Sequence, residues 1–350
     1  AIFVMLAACA PAGAADPWYQ GKRLTVLINF APGGPTDIEG RLFARHIGRL
    51  MPGAPNVIVQ NMDGGGGAVG TNFLGEVAAR DGTYVGYLTG PAWRHVSVPE
   101  RARVDFLSYN SVAYQPGTSV YYVRADVSPP AKTSADLLQV QNLIVGGLTT
   151  DSSKDLLERL TLDLLGVKHR YVTGYTSNAT ARLALQRNEI NFFAESPAGY
   201  RSVVVPNLVE KREVTPLYYD PQWNGTRFAE PMQAKGIGLE PFPEFYRRVK
   251  GGTPSGKAWD VYLHMLAING AMQRMVVFPP GVPKEAIAAL REGIRKLDKD
   301  AAFASDAEKS LGYVPDYEAS DSVQEEVNRA LAVPTEDKAW LMDYIARASK

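Results

Sequence analysis

Cysteine is nearly missing from this 350-residue chain: Cys9 stands alone, so no internal disulfide can form and no cysteine-based zinc site is on offer. Histidine is scarce as well. His46, His95, His169 and His264 are scattered, with no partner at ligand spacing, which leaves no metal motif. Excess charge is also lacking: Lys plus Arg number 37 and Asp plus Glu number 37, so a chain-wide pull on nucleic acid is not expected. No apolar run reaches the roughly 20 residues that a membrane-spanning helix needs. No G-x-S-x-G elbow occurs, and Ser152-Ser153 has no base near it in sequence, so a hydrolytic triad has no support. Neither a catalytic residue nor a cofactor is expected. What remains is an apolar fraction of 45%, enough to bury a core, on a chain about twice the length of a typical domain. Two domains are the expectation.

The first segment reads as an address. Ala1 to Ala10 is uncharged and apolar, and Pro11-Ala12-Gly13-Ala14-Ala15-Asp16 supplies the small residues that a signal peptidase requires. Residues 1–15 are therefore taken as the remnant of an export signal, with a mature protein starting near Asp16. Leu6-Ala7-Ala8-Cys9 also resembles a lipobox, which would anchor the product through Cys9; release is the favoured reading.

Two glycine loops follow two strand-like runs. Leu24 to Phe30 is short and rich in β-branched residues, and Ile38, Leu42, Phe43, Ile47 and Leu50 then recur at helical spacing. Between them lies Ala31-Pro32-Gly33-Gly34-Pro35-Thr36-Asp37. The grammar repeats with Val57 to Gln60 as a strand, Gly64-Gly65-Gly66-Gly67 as a loop and Thr71 to Ala79 as a helix. A third strand, Tyr84 to Leu88, ends in Thr89-Gly90-Pro91. Such alternation predicts a parallel sheet with helical crossovers. Glycine lets backbone N–H groups approach a ligand with no Cβ in the way, and a helix start adds unpaired donors with partial positive charge. In an open sheet these turns share the crevice at the strands' carboxyl ends.

Two motifs imitate nucleotide sites. Gly65 to Gly70 fits G-x-G-x-x-G, but the acid that should end the next strand and hold a ribose is replaced by Thr89-Gly90. Gly251-Gly252-Thr253-Pro254-Ser255-Gly256-Lys257-Ala258 approaches a P-loop, yet Ala258 stands where Ser or Thr must reach magnesium, and the basic flank before it suits a surface loop.

The loop Phe30 to Asp37, the run Asn61 to Gly70, and Pro279-Pro280-Gly281-Val282-Pro283 before a helix together resemble the substrate-binding proteins of tripartite tricarboxylate transporters, the Bug family. The resemblance implies a type II periplasmic-binding-protein-like fold: two α/β lobes with a ligand cleft between them. It implies a periplasmic receptor, here expected to be a monomer, that closes on a small organic carboxylate and delivers it to integral-membrane permease subunits. It further implies that Phe30, Pro32, Gly33, Gly34, Pro35, Thr36, Asp37, Gly64, Gly65, Gly66 and Gly67, with Thr89 and Gly90, face the ligand, one carboxylate being held by backbone N–H groups and bridging waters and Asp37 orienting the ligand or the loop.

The second lobe departs from the family. A Gly-Ser-Ser-Gly-like loop is replaced by Gly146 to Ser153, placing Thr149, Thr150, Asp151 and Ser152 at the cleft, and a Tyr-Lys-Gly turn by Val172-Thr173-Gly174-Tyr175-Thr176. Loss of the lysine and gain of Asp151 disfavour a tricarboxylate and favour one recognised carboxylate with an apolar, aromatic or amine-bearing remainder. Asp151 has a second reading as the N-cap of a helix over Leu156 to Leu165. Tyr175 can pack in the wall or stack on a ligand. Arg94 can pair with a carboxylate or serve the fold, and Glu195 lies at a further strand end.

The expected division is 16–122 plus 276–350 for domain 1 and 123–275 for domain 2, with Ser128-Pro129-Pro130 an exposed stiff break and Glu213 to Pro254 an insertion. Two other readings stand beside the receptor: a nucleotide-dependent enzyme using Gly65 to Gly70, and a receptor-derived sensor.

Overall fold

The computed structural model describes residues 16–223 and 225–348, so the expected export segment and Cys9 lie outside the described residues. The chain opens with β1 (Arg23–Ile28), α1 (Pro35–Leu50), β2 (Asn56–Asn61), α2 (Ala68–Glu76), β3 (Tyr84–Thr89), α3 (Pro91–Ser97) and β4 (Asn110–Gln115). It continues with β5 (Val120–Arg124), β6 (Leu143–Gly146), α4 (Ser153–Leu165), β7 (His169–Val172), α5 (Asn178–Gln186), β8 (Phe192–Glu195), a single turn α6 (Pro197–Gly199) and β9 (Val214–Tyr219). A small hairpin of β10 (Gln222–Trp223) and β11 (Phe228–Ala229) precedes α7 (Phe242–Lys250) and α8 (Lys257–Met265). The last stretch holds β12 (Arg274–Phe278), α9 (Lys284–Leu297), α10 (Ala301–Leu311), α11 (Val323–Ala330) and α12 (Thr335–Ala348).

Two five-stranded sheets result, ordered β2-β1-β3-β12-β4 and β7-β6-β8-β5-β9, and each anchors one lobe. β1, β2 and β3 run parallel, as the strand and helix alternation predicts. β12 runs antiparallel to both β3 and β4, which makes the sheet mixed rather than wholly parallel. Leu24 to Ile28 are all buried because helices cover both faces of β1, and this is why the strand reads as a continuous apolar run. α1 starts at Pro35, whose missing N–H costs nothing in a first turn. Its Leu42, Phe43 and Ile47 pack with Ala286, Leu290 and Ile294 of α9 in one cluster. α2 begins at Ala68, three residues before the predicted Thr71, because the glycine loop tightens into a 3-10 turn that runs straight into it.

The chain crosses between the sheets at 116–119 and 270–273, and the two crossings are tied by Gly117 N–H donating to the Gly270 carbonyl at 3.1 Å. The expected boundaries after residues 122 and 275 fall inside β5 and β12. Ser128-Pro129-Pro130 is exposed as predicted. The stretch Glu213 to Pro254 is not simply an insertion: it supplies β9, which pairs with β5 at the sheet edge, and α7, whose Phe242 and Phe245 are fully buried. Its weak periodicity reflects a short strand and short turns in place of long elements.

The lobes are also joined by side chains. Trp93 and Val96 of α3, Leu156 and Leu160 of α4, Tyr262 and Met265 of α8 and Leu341 of α12 belong to one continuous apolar cluster. α12 follows elements of the first lobe yet reaches the second: Tyr344 donates to Asp163 at 2.5 Å, while Asp337 accepts from Lys257 of α8 at 2.6 Å.

Beside the first crossing lies buried Asp220, whose carboxylate accepts from Tyr121 at 2.5 Å and Tyr262 at 3.0 Å. Burial pushes its carboxyl up to about 7, against the lowering effect of the two tyrosines. Between about pH 4 and 7 the native state therefore holds a proton that the unfolded chain releases, so stability falls as pH rises through that window. Asp220→Asn should remove this share, up to roughly 4 kcal/mol across the window. Denaturant unfolding of both proteins at four pH values reads it; parallel curves would refute the assignment.

Candidate functional site

The site grows from the residue that follows β1. Asn29 is fully buried, and its amide ties three loops together. Its Oδ1 accepts from Thr89 N–H at 2.9 Å, and its Nδ2 donates to the carbonyls of Thr89 at 3.1 Å and Gly67 at 3.2 Å. Thr36 and Thr89 share a hydroxyl bond of 2.8 Å, which draws the first and third loops together. The carboxyl ends of β1, β2 and β3 are thus clamped into one rigid rim.

Asp37 braces that rim. Its carboxylate accepts from Gly33 N–H at 2.8 Å, from Arg41 at 2.9 Å and from Asn61 at 2.7 Å, and Asn61 also donates to the Phe30 carbonyl at 2.9 Å. Burial alone would raise its pKa, but these donors hold the carboxyl below the usual carboxylate range. With both oxygens engaged by Gly33, Arg41 and Asn61, Asp37 shapes Phe30 to Asp37. Pro32 and Gly33 are exposed, Gly34 precedes the helix, and Pro35 opens it. The first-turn N–H groups of α1 beyond Pro35 have no intrahelical acceptor.

The second loop is more unusual. Gly64, Gly65, Gly66 and Gly67 all have positive φ, at 117°, 57°, 62° and 96°, a run that side chains would oppose at every step. A Cβ on Gly67 would lie 2.5 Å from Asn29 Nδ2 and 3.0 Å from the Phe30 ring, so glycine is needed there for contact as well as conformation. Gly67 ends the turn and α2 starts behind it, aiming the positive end of that helix at the rim.

The second lobe meets this rim at the loop between β6 and α4. The Thr149 hydroxyl lies 3.9 Å from where a Cβ of Gly66 would stand. The Leu148 and Thr149 N–H groups donate to Asp155 at 2.6 and 2.9 Å, the Tyr171 hydroxyl donates to the Thr149 carbonyl at 3.0 Å, and Arg159 donates to the Thr150 carbonyl at 2.7 Å. Ser152 caps α4, its hydroxyl accepting from Asp155 N–H at 3.2 Å. The cap reading of Asp151 is therefore corrected by one residue. Asp151 instead crosses between lobes: its carboxylate accepts from Arg101 at 2.7 Å and its carbonyl from the Trp93 indole at 2.8 Å. Gly174 has φ of 108° and faces open space, and Tyr175 packs into the second lobe's own apolar cluster. Glu195 is fully buried and engaged by Arg182 and Asn178.

The structure thus brings Phe30, Thr36, Gly66, Gly67, Thr89, Gly90, Thr149 and Asp151 to one boundary. Sequence reasoning missed Asn29, Asn61 and Arg101 as its organisers. The amide of Asn29 interrupting a β-branched run was the available signal; the partner of Arg101 lies 50 residues away and has none. Among the described residues no cluster of His, Cys, Asp or Glu could hold a metal ion, and no helix is long and apolar enough to cross a membrane.

No protein-family model matches the chain. A curated relative from Agrobacterium vitis, the UPF0065 protein in the TAR-I ttuE-ttuC' intergenic region, is 30% identical over 205 residues, which is 56% of this chain and 57% of that protein. BugT of Bordetella pertussis is 37% identical over 78 residues, 22% of this chain and 23% of its own length. The matches thus span little more than half, or less, of these relatives. Among solved structures, the periplasmic binding protein BugD aligns with a TM-score of 0.65 at 15% identity, covering 95% of this chain and 99% of that one. MatC of Rhodopseudomonas palustris with bound malate gives 0.59 at 19%, covering 92% and 99%. An R. palustris protein with adipate gives 0.62 at 16%, covering 94% and 97%. These structures share the fold of two mixed α/β sheets described above. With its paired loops at the carboxyl ends of β1 and β2, the chain is similar in sequence to the UPF0065 and Bug proteins over little more than half of its length, and it shares the fold of the periplasmic binding protein BugD.

Proposed function

We propose that the chain is an exported, periplasmic receptor that binds a small organic carboxylate between its lobes and delivers it to a tripartite membrane permease. The observation that carries this reading is the rim itself: three loops clamped by Asn29 and braced by Asp37, set at the amino ends of α1 and α2, where a Cβ on Gly67 would strike Asn29. Preorganised amides of this kind suit an anion. Malate and adipate in the two R. palustris structures support a carboxylate as the anion.

In this mechanism the first lobe holds the carboxylate and the second adds Thr149 to Ser152 only when the cleft is shut. The Asp151 to Arg101 and Asp151 to Trp93 bonds are the latch that shutting makes. A ligand that favours the shut form shifts the population by its differential affinity and no more. Nothing is transformed.

A thermal-shift panel tests the reading, because only a ligand preferring the native state raises Tm. Malate, adipate, butyrate, benzoate, NAD and NADP are the probes, and at least one acid should raise Tm while the dinucleotides do not. Stabilisation by dinucleotides alone would favour the enzyme reading of Gly65 to Gly70.

A further inference from the structure

One cation at the rim has no anion. Arg94, on α3, is partly buried, and its Nη1 donates to the Thr89 carbonyl at 3.0 Å. Its Nη2 lies 3.6, 3.1 and 3.6 Å from where a Cβ would stand on Gly66, Gly67 and Gly90, so the guanidinium occupies the junction of the second and third loops. The two other arginines bordering these loops are spent: Arg41 on Asp37 and Arg101 on Asp151. No ion pair of Arg94 occurs among the described residues.

The position is electrostatically costly. A guanidinium stands beside the amino end of the nine-residue α2, so two positive ends face one another, offset only by the Asp151 carboxylate, which is already paired with Arg101. Burial lowers its pKa to about 10, with Asp151 offsetting part of the effect. An anion in that junction would relieve both costs, and the planar fork of Arg suits a carboxylate.

Deepening the receptor reading, on which this rests, we infer that Arg94 is the direct counter-ion of one ligand carboxylate at the Gly64 to Gly67 loop, with Thr149 closing over it, and that the recognised class is the apolar monocarboxylates. Two observations set the class. In the second lobe Lys154, in the first turn of α4, is paired with Asp155 and Glu158, and Arg182 with Glu195, so neither awaits a second carboxylate. Arg94 also borders a narrow crevice between α2 and α3 whose exposed lining is mostly apolar, from Ala68, Pro91, Val98, Val104 and Phe106, so what extends from the carboxylate meets carbon rather than a second free cation.

Calorimetric titration of the full chain and its Arg94→Gln and Arg94→Lys variants with benzoate, butyrate, benzamide, malate and adipate tests this. Benzoate or butyrate should bind the wild type more tightly than either dicarboxylate, and benzamide should not bind. Arg94→Gln should weaken the monocarboxylate by about 10- to 150-fold, and Arg94→Lys should recover part of it. Melting curves of the variants establish that they fold. Equal affinity of wild type and Arg94→Gln for an acid would overturn the role of Arg94 and leave the carboxylate receptor standing. Tighter binding of malate or adipate than of either monocarboxylate would overturn the class alone. Failure of the wild type to bind any acid would overturn the receptor reading itself.

Discussion

Gly66→Val should abolish carboxylate binding while leaving a folded protein. Gly66 has φ of 62°, which a β-branched residue tolerates at a cost of about 1–3 kcal/mol. The new Cβ itself finds space, 3.6 Å from Arg94 Nη2 and 3.9 Å from the Thr149 hydroxyl, but two methyl groups added beyond it are expected to crowd both side chains. They occupy the place proposed for the ligand's head and obstruct the approach of Thr149. The expected result is a loss of affinity beyond about 100-fold, equivalent to roughly 3 kcal/mol, with Tm lowered by only a few degrees. Titration with the acid that binds the wild type, paired with circular dichroism melting, reads both effects. Unchanged affinity would place the ligand away from this loop and remove the basis of the proposed function.

Glu39→Ala should be the most destabilising single change. Glu39 on α1 and Arg274 on β12 are 2% and 3% exposed and joined by two bonds of 2.9 Å, one to each carboxylate oxygen. Removing one partner leaves a buried, uncompensated guanidinium, which costs about 3–5 kcal/mol. Replacing both, as Glu39→Met with Arg274→Met, should recover much of that loss, because a buried pair contributes little over apolar residues of similar size. Guanidinium unfolding of the wild type, Glu39→Met, Arg274→Met and the double variant measures the cycle, and a loss for the double variant equal to the sum of the single losses would contradict the desolvation argument. The pair matters to the site because α1 carries Thr36 and Asp37 in its first turn, one turn from Glu39.

The first lobe was legible where its chemistry is local. Glycine runs behind β-branched runs announce loops at strand ends, and Phe30 to Asp37 and Gly64 to Gly67 lie there. The bonds that give those loops their shape join residues 24, 38 and 60 positions apart, as Asn61 to Asp37 and Asn29 to Gly67 and Thr89 show, and no periodicity encodes such pairs. The α4 cap was ambiguous because Asp151 and Ser152 both suit an N-cap; three-dimensional demand settled it, since Arg101 and Trp93 claim Asp151. β9 and α12 were hard to place for a related reason. The apolar residues of α12 face two lobes at once, so its sequence shows no single clean stripe.

That last helix has a mechanical consequence. Two peptide crossings side by side would by themselves act as a pin and permit free rotation. Here the contacts of Asp337 and Tyr344, together with Leu341 in the shared cluster, make a third fastening. Any widening of the mouth must therefore be absorbed as a small sliding of α3, α8 and α12 past one another, a shear added to the swing. The angle through which the two lobes can part is geared by helix packing around Asp337, Leu341 and Tyr344, far from the glycine loops.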